Sequence, residues 1–89
     1  MKKEKQYKGY EYVLDECKEL SKDRGKFYGT AKANLTRTSE VCKAFGVNIS
    51  PKQVALVMSA NKIARERNVH KHDNIIDCIN YLAIFESLN

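Results

Sequence analysis

The chain has 89 residues, of which 43% are hydrophobic and 30% are charged, and its formal net charge is +5 at pH 7. This composition excludes a disordered or collagen-like protein, no apolar run reaches the roughly 20 residues of a membrane helix, and the basic start has no apolar region behind it that would make a secretory signal. We therefore expect a cytoplasmic protein that prefers anionic partners and that self-associates, because so short a chain buries only about 60 to 65 per cent of its unfolded surface.

The first predicted helix covers residues 7–21 and follows a basic tail over residues 1–6. Its apolar residues recur at helical spacing, and they are Tyr10, Val13, Leu14, Cys17 and Leu20. The pattern ends at SKDRGKFYGT, where two glycines and an aspartate predict a polar loop. Arg24, Tyr28 and Gly29 lie in this loop, where the glycine permits a bend that presents an arginine and an aromatic ring.

The second predicted helix covers residues 32–45 and ends at Gly46. The residues predicted on its inner side are Leu35, Thr38, Val41, Cys42 and Phe45. The third predicted helix covers residues 51–67, and its start is the clearest boundary in the chain, because Ser50 and Gln53 form a predicted capping box. Its run VALVM is apolar nearly all round, which predicts a central helix that is covered on every side.

The fourth predicted helix begins near Asp73 and carries apolar residues to the end of the chain. No stretch has the pattern of a strand, and no internal repeat is visible. Three widely spaced cysteines without a CxxC pair predict reduced thiols, and two histidines without a nearby cysteine are too few for a zinc site. The sequence thus predicts an all-α fold, a compact bundle of four helices that forms one domain over residues 7–89 and assembles into an oligomer.

The last two predicted helices carry polar residues within their apolar patterns. Asp73, Asp77 and Tyr81 lie on one stripe of the fourth helix, and Lys62 and Arg65 lie on one stripe of the third. In an antiparallel hairpin these stripes would face each other. Two interpretations are open: the acids pair with the cations and cap the helix, which fixes helix register, or the cluster forms a functional pocket.

The charged residues allow two kinds of ligand. Arg24 and Tyr28 would suit a nucleotide, since a guanidinium binds phosphate and an aromatic ring can stack on a base, although Tyr28 can instead close the end of the bundle. The acids would suit a metal ion, because carboxylates on facing helices can hold Mg²⁺. The acids in question are Glu16, Glu19, Asp73 and Asp77, and an exposed acidic helix face is their plainer interpretation.

Three strings of the sequence, DRGKFYG, SPKQVALVMSANKIAR and HKHDNIIDCINYLA, resemble a family of short phage and prophage proteins of unknown function. The resemblance covers roughly residues 12–84. Carried over position by position, it implies functional roles for Asp23, Arg24, Tyr28, Gly29, Asn34, Lys62, Arg65, Asp73, Asn74, Asp77 and Tyr81. The chain departs from the family pattern at Leu35, at Gln53 and over residues 59–61.

Such proteins are also similar to the MazG-type nucleotide pyrophosphohydrolases, all-α oligomers that hold Mg²⁺ on an ExxE and an ExxD helix pair. The string ECKE, residues 16–19, matches the first motif. The second motif is not matched, since Lys62 and Arg65 stand where an acid is expected. This difference implies direct cationic contact with phosphate in place of a metal ion.

From these observations we expect a phage-type protein that binds a phosphorylated nucleotide-like ligand without turnover and sequesters a nucleotide signal of bacterial immunity. The predicted ligand-binding residues, with no catalytic residue and no metal ligand among them, are Arg24, Tyr28, Gly29, Asn34, Lys62, Arg65, Asp73, Asn74 and Asp77. One alternative is a Mg²⁺-dependent, MazG-like nucleoside triphosphate pyrophosphohydrolase that uses the four acids. Another is an inhibitory module that binds a host defence complex. Sequence-specific nucleic-acid binding is not expected, because no recognition helix with base-reading residues is visible.

Overall fold

A computed structural model of the chain describes residues 9–88, except for the side chains of residues 26–28. The described part contains four helices and no strand: α1 (Glu11–Tyr28), α2 (Ala31–Ala44), α3 (Pro51–Glu66) and α4 (His72–Ser87). The predicted all-α bundle of four helices is therefore confirmed. The predicted basic tail over residues 1–6 lies outside the described residues. No helix in the described part is long and apolar enough to span a membrane.

Helix α1 begins at Glu11 and not at the predicted residue 7, since residues 9 and 10 form a turn, and it ends later than the sequence pattern predicted. The segment that was expected to form a loop after residue 21 is helical to Tyr28, so this prediction was wrong. Its lysines and arginine are good helix formers, and Gly25 costs a helix only about 1 kcal/mol relative to alanine, which tertiary packing can offset. The break comes at Gly29, whose φ of +78° lies in the left-handed region. Arg24 is consequently held on a helix and not on a loop.

Helix α2 begins where Thr30 caps it, since the Thr30 hydroxyl accepts a hydrogen bond from the Ala33 amide at 3.1 Å. The helix ends just before Gly46, where φ is +88°. Of its predicted inner residues only Leu35 is buried, and Phe45 is 82% exposed. The inner side was predicted too broadly, because α2 contacts its neighbours through a narrow stripe around Leu35.

The predicted capping box of α3 is confirmed. The Ser50 hydroxyl accepts from the Gln53 amide at 3.1 Å, and the Gln53 side chain accepts from the Ser50 amide at 2.9 Å. The expectation that α3 is covered on every side was wrong. Val54 and Ala55 are buried, but α3 packs mainly on α2 and α4 and leaves a third face open. The apolar residues on the open side are Leu56, Val57 and Ile63.

Helices α3 and α4 form the most extensive helix pair of the fold. They run antiparallel, because Lys62 contacts Asp77 while Glu66, one turn later on α3, contacts Asn74 near the start of α4. The hydrophobic core joins this hairpin to Leu35 of α2. Its members are Leu35, Val54 and Ala55, surrounded by Ile49, Met58, Ile84, Phe85 and Leu88. Helix α1 packs on α4 and places Cys17 against the start of that helix, with its sulfur 3.8 Å from the Ile76 carbonyl.

Candidate functional site

A buried carboxylate on α4 joins three helices. Asp77 is only 7% exposed, and each of its oxygens contacts a different cation. Oδ1 lies 3.1 Å from Nη2 of Arg24 on α1, and Oδ2 lies 3.1 Å from Nζ of Lys62 on α3. Because a buried carboxylate is costly unless it is paired, the two contacts explain how Asp77 is tolerated inside the bundle.

The three charged groups of this cluster differ in their exposure to solvent. The Lys62 side chain is 12% exposed and the Arg24 side chain is 46% exposed. Two cations face one carboxylate, so the formal charges of the cluster leave one positive charge in excess. The surplus positive charge is accessible at Arg24, because Lys62 is nearly enclosed.

Arg24 also lines a cavity of about 630 Å³ between α1, α2 and α4. This volume is within the range of small-molecule sites, which is about 300 to 1,000 Å³. The cavity is lined by Ser21, Arg24, Gly25, Gly29, Thr30, Ala31, Asn34, Asn80, Tyr81 and Ile84. Among these residues Arg24 is the one with a permanent charge, and most of the others offer hydroxyl, amide or backbone groups. The cavity is therefore suited to a polar ligand with at least one negative charge.

The amino end of α2 forms one wall of this cavity. Gly29, Thr30 and Ala31 line it, and the Thr30 cap occupies the Ala33 amide. The first amides of a helix carry a partial positive charge that favours anions, and this adds to the charge of Arg24. Asn34, one turn into α2, brings a side-chain amide to the same space. The electrostatic character of the cavity thus comes from two elements, the end of α1 and the start of α2.

A second polar cluster lies at the turn between α3 and α4. Glu66 accepts hydrogen bonds from the Lys71 amide at 2.8 Å, from the Asn74 side chain at 3.0 Å and from the His70 ring. The bond from His70 is the largest cause that lowers the pKa of Glu66 to about 2, and the bonds from Lys71 and Asn74 add to it. This cluster binds the carboxylate to its own turn, so Asn74 has a partner and lies away from the cavity lining.

The predicted ligand-binding residues therefore fall into groups. Arg24, Gly29 and Asn34 line the cavity, while Lys62 and Asp77 lie behind Arg24. The other four do not line the cavity as described. Asn74 contacts Glu66, and Arg65 and Asp73 are exposed. The side chain of Tyr28 lies outside the described residues.

The cavity also contains residues that the sequence-based list of binding residues did not include. Tyr81 was placed on the stripe of Asp73 and Asp77 and is implied by the family resemblance, but it is not among the predicted binding residues, and neither are Ser21, Thr30 and Asn80. Asn80 lies one turn beyond Asp77 on α4, so the helical period could have placed it near the cluster. Ser21 and Thr30 had no such signal, because their role depends on how α1 and α2 meet.

The acids that were considered for Mg²⁺ do not fit a metal site in this arrangement. Glu16 is 2.9 Å from the His72 ring, Glu19 is 3.5 Å from Lys22, and Asp77 is held by its two cations. Within residues 9–88, no group of three or more His, Cys, Asp and Glu side chains is placed to hold a metal ion. We therefore derive no metal-dependent step.

The buried Cys17 is not activated as a nucleophile in this arrangement. Cys17, Cys42 and Cys78 are free thiols, in agreement with the prediction of reduced cysteines. Burial is the largest cause that raises the pKa of the Cys17 thiol, and the carboxylates of Glu16 and Asp77 act in the same direction. A raised pKa disfavours the thiolate, which is the reactive form. Cys17 is therefore best described as a packing residue.

Comparison with known proteins gives one match. A family model described as a domain of unknown function (DUF6378) matches residues 12–89, which is most of the chain. No curated protein and no solved structure matches.

Proposed function

The chain belongs to this family of domains of unknown function, and we propose that it binds a phosphorylated, nucleotide-like ligand without turning it over. The observation that carries the proposal is the cavity of about 630 Å³, in which Arg24 is the one permanently charged residue among the described residues of the lining. A cavity of this size accepts a small molecule, and its charge selects an anion.

Each part of such a ligand has a suitable group in the cavity. The Arg24 guanidinium and the amino end of α2 would hold the phosphate. Asn34 and Asn80 offer amide donors and acceptors for ribose or base, and Tyr81 offers an aromatic ring. Stacking on Tyr28 remains a prediction from the sequence.

Binding without turnover is supported by the chemical character of the lining. Within the part of the chain that the structure describes, the residues that line the cavity include no carboxylate, histidine or cysteine side chain. General acid–base and nucleophilic catalysis usually depend on such groups. The Mg²⁺-dependent, MazG-like pyrophosphohydrolase is less well supported, because the acids it would use are engaged with cations or lie outside the cavity lining.

The biological part of the proposal comes from the resemblance to phage and prophage proteins. A protein that binds a nucleotide without consuming it lowers the free concentration of that nucleotide. In an infected bacterium this would sequester a nucleotide signal of the immune response. The cytoplasm of the host is the compartment in which such a signal acts.

Self-association is also part of the proposal. Leu56, Val57 and Ile63 are exposed on the open side of α3, and Ile63 is 55% exposed. A second copy would cover these side chains and remove apolar surface from water. Light scattering after size-exclusion chromatography should show an oligomer that Ile63→Glu dissociates, whereas Asn61→Glu on the same helix serves as a control for the added charge. A monomeric wild-type protein would contradict the expectation and favour a heterologous protein partner.

The ligand is tested by calorimetric titration with nucleoside mono-, di- and triphosphates, cyclic nucleotides and ADP-ribose derivatives, with and without Mg²⁺. We expect binding by the wild-type protein and at least a tenfold loss for Arg24→Ala, about 1.4 kcal/mol, because the phosphate loses a charged partner. Lys22→Ala is the matched control, since it removes an exposed cation of α1 that pairs with Glu19 and does not line the cavity.

Chromatography of each mixture after titration separates binding from catalysis. Recovery of intact nucleotide supports sequestration, and release of monophosphate and pyrophosphate would establish the enzyme instead. If no compound binds, or if Lys22→Ala weakens binding as much as Arg24→Ala does, the cavity is not the site.

A further inference from the structure

Lys62 is a strongly enclosed cation next to the cavity, yet it does not line it. Its Nζ lies 3.1 Å from one oxygen of Asp77, whose other oxygen lies 3.1 Å from the Arg24 guanidinium. We propose that Lys62 acts on the ligand through Asp77: it neutralises the carboxylate, and so leaves the charge of Arg24 available to an anionic group in the cavity. This inference rests on the proposed function and replaces the earlier expectation that Lys62 contacts phosphate directly.

The argument begins with the charge of the carboxylate. Asp77 has one negative charge to share between its two cations. If Lys62 were absent, that charge would be balanced by Arg24 alone, and the cluster would be neutral. With Lys62 present the cluster keeps one positive charge, and Arg24 is the member of the cluster that lines the cavity. Lys62 therefore sets the electrostatic potential of the site from behind its wall.

The second step concerns the geometry of Arg24. A guanidinium has five N–H donors, and the contact with Asp77 uses one of its terminal nitrogens, Nη2. The side chain is 46% exposed, so its other donors remain accessible from the cavity. Asp77 can hold the guanidinium in place while Arg24 binds an anion. Asp77 and Lys62 are thus positioning residues, and Arg24 is the contact residue.

This arrangement predicts an effect that direct contact would not produce. Lys62→Met leaves Asp77 opposed by Arg24 alone, so binding of an anion should weaken on the order of fivefold, the size of one screened charge at about 10 Å. When Asp77→Asn is added to Lys62→Met, the ion pair between positions 62 and 77 is replaced by two neutral side chains of similar size. The positive charge at Arg24 returns, and the affinity should return to within about twofold of the wild-type value.

The experiment uses inorganic phosphate as the probe and the full-length, ¹⁵N-labelled protein at constant ionic strength. Phosphate is titrated while NMR follows the backbone amides of Gly29, Ala31 and Asn34 and the side-chain Nε–H of Arg24. The variants are Lys62→Met, Asp77→Asn and the double variant, each accepted only if its spectrum retains folded dispersion. If Lys62→Met does not fold, Lys62→Gln takes its place. Lys43→Met, on α2, controls for the loss of one exposed cation outside the cavity lining and should leave the affinity unchanged.

The outcomes separate this inference from the function on which it rests. Weak binding by Lys62→Met with recovery in the double variant supports the inference. Equal weakness of the single and double variants would mean that Lys62 contacts the anion itself, and unchanged binding by Lys62→Met would mean that Lys62 does not act on the cavity. Either result overturns the inference and leaves the proposed function intact. Absence of shifts at the cavity in the wild-type protein would overturn the proposed function, and the inference with it.

Discussion

The two carboxylate clusters, around Asp77 and around Glu66, satisfy their charges in different ways. Glu66 is bound by groups of its own turn, namely a backbone amide, a side-chain amide and a histidine ring. Asp77 is bound by two full cations that come from α1 and α3. The donors around Glu66 are local and mostly neutral, so they close a turn without adding a full positive charge. The cations around Asp77 come from two other helices, so they join the helices and leave a surplus positive charge beside the cavity. The first arrangement is what a structural cluster needs, and the second is what a binding site needs.

The largest expected difference between the clusters is in their response to loss of a partner. Asp77→Ala would leave the nearly enclosed Lys62 without a counter-charge. We expect the free energy of unfolding to fall by about 2 to 4 kcal/mol. This is towards the low end of what removal of one partner from a buried ion pair costs, because Arg24 remains solvated. Urea denaturation measures this. Asp73→Ala, one turn earlier and exposed, is the control and should cost less than about 1 kcal/mol. Equal effects of the two substitutions would show that the Asp77 cluster does not join the helices.

A smaller effect is expected when a donor is removed from the Glu66 cluster. Asn74→Ala deletes a hydrogen bond of 3.0 Å to a carboxylate that keeps two other donors. We expect a loss of about 1 to 2 kcal/mol in the free energy of unfolding. Urea denaturation measures this loss. Asn68 is an exposed residue of the same turn, and Asn68→Ala is the matched control. Phosphate binding should be unaffected by Asn74→Ala, and a clear loss of affinity would break the distinction between a structural and a binding cluster.

The smallest effect is the dependence of stability on pH that comes from Glu66. The pKa of this carboxyl is lowered from its ordinary value of 4.5 to about 2 in the folded chain. A lowered folded-state pKa means that its stabilising contribution is fully present above about pH 4.5 and is lost as the pH falls towards 2. Urea denaturation gives the free energy of unfolding of the wild-type protein and of Glu66→Gln at each pH between 6 and 2.5. The two plots of this free energy against pH should converge at acid pH. Parallel curves would contradict the role of ionised Glu66.

Much of the fold follows from local signals in the sequence. The bounds of α2 and α3 are within one residue of those predicted, because a cap and a glycine stop, or a capping box, act over only a few residues. The end of α1 was missed because Gly25 was interpreted as a break, whereas helix packing can offset one glycine. A helix cap therefore predicts a helix boundary more reliably than a single glycine predicts an interruption.

The site was predictable only in part. The pairing of Lys62 with Asp77 follows from two helical stripes in an antiparallel hairpin, and it was one of the two interpretations considered. The contact between Arg24 and Asp77 depends on the extra turns of α1, so no spacing rule could predict it. The same holds for Ser21 and Thr30, which share a cavity only after the helices have packed.

The α3–α4 hairpin also bears on the order in which the fold assembles. Its two helices are joined by a short turn, and elements with such local contacts form quickly. Helix α1 makes far fewer contacts with α4 than α3 does, and its partners on α4 are distant in the sequence. We expect α1 to dock last and to detach first in local unfolding, taking Arg24 and one cavity wall with it. A bound anion should therefore slow amide hydrogen exchange most in α1, while exchange in the hairpin changes little.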